Sequence, residues 1–141
     1  MAAAPDAEAV ASDLRLVVGQ LVRRLRAHGT FPVSQAIVLG RLDREGPQSV
    51  SDLARADGVR PQSMAQTVRQ LEAAELVDRQ PDPDDGRRAI VGLTKRGRAA
   101  IETERADRAT WLAEAIENEL TRTEQQTLAR VLPLLKRLAA R

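Results

Sequence analysis

Gln62, Gln66 and Arg69 follow one another at steps of four and three residues, the spacing that lines side chains along one face of an α-helix. Ser63, Thr67 and Gln70 flank them, and no carboxylate intervenes before Glu72. Amides pair a donor with an acceptor and a guanidinium presents a fork of donors, patterns that match base edges in a major groove. Hydroxyls and a helix N-terminus suit phosphates. An ordinary solvated helix face uses the same residue types, so this stretch takes its meaning from its neighbours. Downstream, Pro81-Asp82-Pro83-Asp84-Asp85-Gly86 reads as a turn, because proline fixes φ, Asp side chains cap local N–H groups and Gly86 permits positive φ. It delivers Arg87 and Arg88 at or just past its tip.

Those groups need elements to hold them. A helix starts at Arg60 or Pro61, since proline is well tolerated in a first turn, and Met64, Val68 and Leu71 recur along its core-facing side. Upstream, Ser49 to Gly58 reads as a short helix. Ser49 and Asp52 resemble a capping box, although Glu or Gln is the usual third-position partner, and Gly58 suits the left-handed position after a helix. Two helices joined by a tight glycine-bearing turn make a helix-turn-helix, the second being the recognition helix. Leu76-Val77 begins an extended segment, and Ala89 to Leu93 is a short apolar strand. With the turn between them they form a hairpin wing.

From Leu53 to Leu93 the order and spacing of these pieces carry a family resemblance. The pattern Leu-Ala-x-x-x-Gly-Val-x-Pro-Gln-Ser-Met, the segment Leu-Glu-Ala-x-x-Leu-Val, Asp-Pro-Asp-Asp-Gly-Arg, and Leu-Thr-x-x-Gly at Leu93 to Gly97 together resemble the MarR family of bacterial transcription regulators. More loosely, the resemblance extends over nearly all of the chain. It implies a mainly α fold with a small β-hairpin wing, a winged helix-turn-helix flanked by long N- and C-terminal dimerisation helices. It also implies a homodimer on double-stranded DNA, with the two recognition helices in successive major grooves roughly 34 Å apart on a pseudo-palindromic operator. On that reading Gln62 and Gln66 lie nearest base edges with Arg69 or Gln70 beside them. Arg60, Ser63 and Thr67 suit the phosphate backbone, Pro61 opens the helix, and Ser51 joins from the first helix of the motif. The arginine matching Arg87 often reaches the minor groove in relatives, Arg88 assists, and Asp84 or Asp85 orients that arginine or shapes the turn. Many family members carry a basic residue where this chain has Gln66, which leaves base preference open. Repression responsive to a small-molecule effector of unstated class is implied too, with His28, Phe31 and Trp111 as candidate lining residues.

Composition narrows the alternatives. A chain of 141 residues with 43% apolar content is expected to form one domain with its own core, and a net charge of +2 carries little information about partners. There is no cysteine, which removes disulfides, thiolate metal sites and thiol-based redox sensing. With one histidine, His28, and no tyrosine, a His-based triad or a multi-histidine metal site would have to be assembled between subunits, so no enzyme and no cofactor are expected. Met1 to Asp6 has no cationic lead or apolar core, and no stretch nears the roughly 18 apolar residues of a membrane span. A cytoplasmic protein, associated with the nucleoid when on DNA, is expected.

The remaining chain is helical in pattern. One long helix over about 7–28 carries Val10, Leu14, Val17 or Val18, Leu21 and Leu25 on one side, with Arg23, Arg24 and Arg26 near its end. Gly29-Thr30-Phe31-Pro32 breaks it. Ser34 is expected to cap a helix to about Glu45 with Ile37, Val38 and Leu42 buried, ended by Gly46-Pro47. Thr94 caps a helix to about Asn118, and Thr121 with Glu124 forms a capping box for a last one, in which Pro133 predicts a kink or break. The expected layout is a single domain over 1–141, with a winged core at about 32–94 and dimerisation helices at about 7–28 and 100–140. These terminal helices carry more apolar surface than the winged unit can cover, which points to a partner. The resemblance implies that the partner is a second copy of the chain, the alternative being that the helices fold back on one another. A different class of function remains open: a dimeric winged-helix module that binds protein and no operator.

Overall fold

The computed structural model describes residues 5–141, so the first four residues of the leading segment lie outside the described part. The elements in order are α1 (Ala7–Ala27), α2 (Val33–Glu45), α3 (Val50–Asp57), α4 (Pro61–Ala73), β1 (Val77–Pro81), β2 (Ala89–Leu93), α5 (Lys95–Glu119) and α6 (Arg122–Ala139). Two compact units divide the chain. One is Gly29–Ala106; the other joins the two ends, up to His28 and from Asp107 to Arg141. The expected winged core falls inside the first unit, while α5 contributes to both.

In the Gly29–Ala106 unit, α2, α3 and α4 pack with the hairpin around one core. Leu39, Leu53, Val68, Leu71 and Val91 are fully buried there, joined by Met64, Val77 and Ile101. The stripe read on α4 is thus the buried one, but α2 is turned slightly from expectation: Leu39 is buried with Val38 and Leu42, and Ile37 is only half-buried. Nor does Ser34 cap α2. Cap and helix start lie two residues earlier, at Pro32 and Val33, and no side-chain hydrogen bond caps the helix.

β1 and β2 pair antiparallel with Val77 opposite Leu93 and Pro81 opposite Ala89. Gln48 exchanges backbone hydrogen bonds with Val91 on β2, at 3.0 and 2.7 Å, and so tethers the hairpin to the approach to α3. The chain leaves α4 through Glu75, whose φ of 60° is left-handed, and the Leu76 N–H closes the helix on the Leu71 carbonyl. Thr94 caps α5 by accepting the Gly97 N–H at 3.0 Å while its hydroxyl donates to the Glu75 carbonyl. A side chain at Gly97 would collide with the Leu76 carbonyl, which explains the glycine in the Leu-Thr-x-x-Gly pattern.

The unit made of the chain ends is built differently. α1 and α6 bury no residue completely, and Val10, Leu16, Val17, Leu21, Leu132, Leu134 and Leu138 are exposed. Both halves of the Thr121–Glu124 capping box are present, and α6 continues across Pro133 without the local break that was one of the two expectations there. An open apolar groove of about 1010 Å³ is lined by Leu21, Trp111, Ile116, Leu128 and Leu135 among others. Among the described residues no helix is long and apolar enough to cross a membrane.

Candidate nucleic-acid interface

α3 and α4 form the helix-turn-helix. Ser49 caps α3 by accepting the Asp52 N–H at 3.1 Å, and Gly58, at φ 64°, ends it in the left-handed region. The Val59 N–H returns to the Ala54 carbonyl at 3.0 Å, closing the turn, and Arg60 with Pro61 starts α4 in the expected place. Arg41 of α2 holds the far end of α3, donating to Asp57 from two nitrogens at 2.6 and 3.0 Å. Burial of Met64, Val68 and Leu71 then turns Gln62, Ser63, Gln66, Arg69 and Gln70 outward.

These outward groups differ in how committed they are. The Thr67 hydroxyl donates to the Ser63 backbone carbonyl at 3.2 Å, and the Gln70 side-chain amide oxygen Oε1 accepts from Gln35 Nε2 of α2 at 3.2 Å. Gln62, Gln66, Arg69 and Arg60 make no side-chain hydrogen bond or ion pair among the described residues. They are exposed, and with them the N-terminal turn of α4 is open to solvent. Ser51 is exposed in the first turn of α3.

On the wing, Asp85 shapes the turn: its carboxylate accepts the Arg87 N–H at 3.1 Å and its carbonyl accepts the Arg88 N–H at 3.0 Å. Asp84 donates its own N–H to the Asp82 carboxylate at 2.9 Å. Positive φ among the described glycines is confined to Gly46 and Gly58, so Gly86 does not use its freedom and the aspartates close the turn. Neither Asp84 nor Asp85 pairs with the Arg87 side chain, which is exposed and without a partner among the described residues. Arg88 behaves otherwise. Its guanidinium reaches back to α3, donating to Ser49 Oγ at 2.9 Å and to Asp52 Oδ2 at 3.1 Å, with Asp82 at 3.9 Å.

Asp52 therefore does not complete a capping box. Its carboxylate turns to Arg88 and Arg55, and hydrogen bonding with Ser49 together with these two cations holds it below the ordinary carboxylate range, against the opposing effect of partial burial. Sequence reading missed Ser49 and Asp52 as partners of Arg88, because contacts that span 39 and 36 residues leave no trace in local spacing.

The three candidate effector residues are divided between the two units. His28 ends α1 and stacks on Trp111 with ring centroids 4.6 Å apart. Phe31 belongs to the Gly29–Ala106 unit, packs against its core and donates its N–H to Glu104 at 3.2 Å. Of the three, only Trp111 lines the apolar groove. Among the described residues no cluster of acidic and histidine side chains is arranged to hold a metal.

Residues 30–88, from the break before α2 to the wing arginines, match the sequence pattern of the MarR family. Over 122 residues the chain is 38% identical to an HTH-type transcriptional regulator of Mycobacterium tuberculosis, covering 84% of this chain and 85% of that one. The chain belongs to the MarR family. A crystal structure from Pseudomonas aeruginosa superposes with a TM-score of 0.81 at 34% identity, over 97% of this chain and 99% of the other. The transcriptional repressor NicR of Pseudomonas putida is 38% identical over 68 residues, 48% of this chain and 43% of its own length. The MarR assignment makes the protein a DNA-binding transcriptional regulator and not an enzyme, and it identifies the hairpin as the wing of a winged helix-turn-helix.

Proposed function

We propose that the protein is a homodimeric repressor that reads a pseudo-palindromic operator in the cytoplasm through α4 and the wing. The observation that carries this reading is the division of labour on the outward face. Thr67, Gln70 and Arg88 are tied into the protein's own hydrogen bonds, whereas Gln62, Gln66, Arg69 and Arg87 are exposed and uncommitted. Groups that must meet bases gain from having no internal bond to break. Gln62 and Gln66 are assigned to base edges in the major groove, with Arg69 beside them. Arg60, Ser63 and Ser51 are assigned to phosphates, and Arg87 to the minor groove.

Dimerisation is supported by the exposed apolar side chains of α1 and α6, which a second copy would cover. A small-molecule effector would act by binding one spacing of the two recognition helices better than another. The aromatic pair His28–Trp111 and the groove reached by Trp111 are its candidate contacts, and Phe31 is a candidate from the other unit. The name of NicR supports repression as the outcome.

A mobility-shift assay against the DNA upstream of the protein's own gene, titrated with salt, tests the reading. Specific retardation should weaken steeply, with a slope of about −0.9 in log K per phosphate neutralised. Absence of DNA binding at low salt would favour a protein-binding module.

A further inference from the structure

We propose that Arg88 is a positioning residue, a latch that ties the wing to the first turn of α3 and so aims Arg87, and that it does not itself contact the duplex. The inference rests on the reading of Arg87 as a minor-groove contact. It departs from the expectation that the two wing arginines act together.

A two-stranded hairpin is barely stable alone, so its direction depends on what holds it. Near its base, the wing is held by the backbone bridge between Gln48 and Val91. Toward the tip, the Asp82 N–H donates to the Arg88 carbonyl at 2.9 Å, beside the Asp85 turn. Beyond Val91 the attachment to α3 passes through the Arg88 guanidinium, which meets Ser49 Oγ and Asp52 Oδ2. The acceptors are well placed for this task. Ser49 is buried and its oxygen also caps α3, so the latch grips a group that cannot move without undoing the helix end. Asp52 is held from its other oxygen by Arg55 at 3.3 Å. Asp82 approaches Arg88 Nε from the wing itself, so one guanidinium bridges the two elements. Arg87, next in the chain, has its backbone N–H fixed by Asp85 and its side chain unengaged among the described residues. Fixing residue 88 thus sets the origin from which the Arg87 side chain reaches out.

Asp52 makes the idea testable by sign. It lies beside Ser51, which faces phosphates in the proposed complex. Removing its charge should tighten DNA binding if electrostatics alone matter there. A latch predicts the opposite. Binding would be measured on the tightest duplex that the wild-type protein selects from a random-sequence pool. Asp52→Asn and Arg88→Ala should each weaken binding on the order of tenfold, and the double variant should be no weaker than either single one. Amide hydrogen exchange at Asp82 and Arg88 should quicken in both, with the melting transition kept to confirm folding. Tighter or unchanged binding by Asp52→Asn would overturn the latch, as would losses that multiply in the double variant. If the wild type selects no duplex, the operator reading fails on its own. Exchange then decides, and unchanged protection of the Asp82 and Arg88 amides in Arg88→Ala would overturn the latch.

Discussion

Between Gly29 and Ala106 the apolar side chains close on one another, whereas α1 and α6 leave theirs open. Every residue of the buried core, from Val38 to Ile101, belongs to the winged unit. The terminal helices carry the exposed Val17, Val18, Leu21, Leu132 and Leu138. The difference teaches that the two units are stabilised from different sources. The winged unit contains its own core, and the chain ends leave apolar side chains exposed, which a second copy would cover in the proposed dimer. A DNA-reading surface benefits from the first arrangement, since α4 and the wing stand on a buried, self-contained core. A surface that sets the distance between two such readers benefits from the second.

The largest effect expected is in the core. Leu53→Ala and Leu71→Ala remove fully buried side chains and should each lower stability by about 2–5 kcal/mol in denaturant titrations. If either loss were below about 1 kcal/mol, the winged unit would not be the self-sufficient one. Next, Leu132→Arg places a charge on the open side of α6. It should weaken self-association by about 2 kcal/mol or more by sedimentation while the circular dichroism of the helices is kept. An unchanged association constant would remove α6 from the proposed dimer.

Arg87→Ala should weaken operator binding by about 1–3 kcal/mol with stability unaltered, because its side chain supports nothing within the described chain. Equal affinity would dismiss it as a contact. The smallest effect concerns α6. Thr121→Ala deletes the cap and should lower stability by about 1 kcal/mol. Hydrogen bonding from the Thr121 backbone, then from its hydroxyl, holds the Glu124 carboxyl below its ordinary range. The contribution is therefore complete above that ordinary range and lost as pH falls through the depressed value. Acid unfolding of the Thr121→Ala variant should lose only the hydroxyl's share of that pH dependence, because the backbone N–H of residue 121 still donates to Glu124.

Much of this was legible in the sequence because it is local. Pro61 at a helix start, Gly58 in the left-handed position and Thr121 with Glu124 act within one turn of the backbone, so spacing reveals them. The outward set on α4 followed from its buried stripe. What stayed hidden depends on pairings across the fold. Arg88 on Ser49, Gln35 on Gln70 and the Phe31 N–H on Glu104 join residues far apart in the chain, and each changes what a neighbour is free to do. Glu75 was hidden for another reason. Glycine is the usual occupant of its left-handed position, and the backbone around Leu71, Leu76 and Thr94 imposes that geometry on a glutamate. Ser34 misled because a serine near a helix start suits a cap, while the chain turned into the helix at Pro32 instead.

The central claim is that two copies of one uncommitted surface, Gln62, Gln66, Arg69 and Arg87, meet the duplex together. Selecting bound duplexes from a random-sequence pool tests it most directly. The account predicts enriched sequences with two inverted half-sites about 10 base pairs apart, centre to centre. The preference at one position of each half should relax in Gln66→Ala. Enrichment of a single unrepeated site, or a Gln66→Ala profile identical to the wild type at every position, would contradict it.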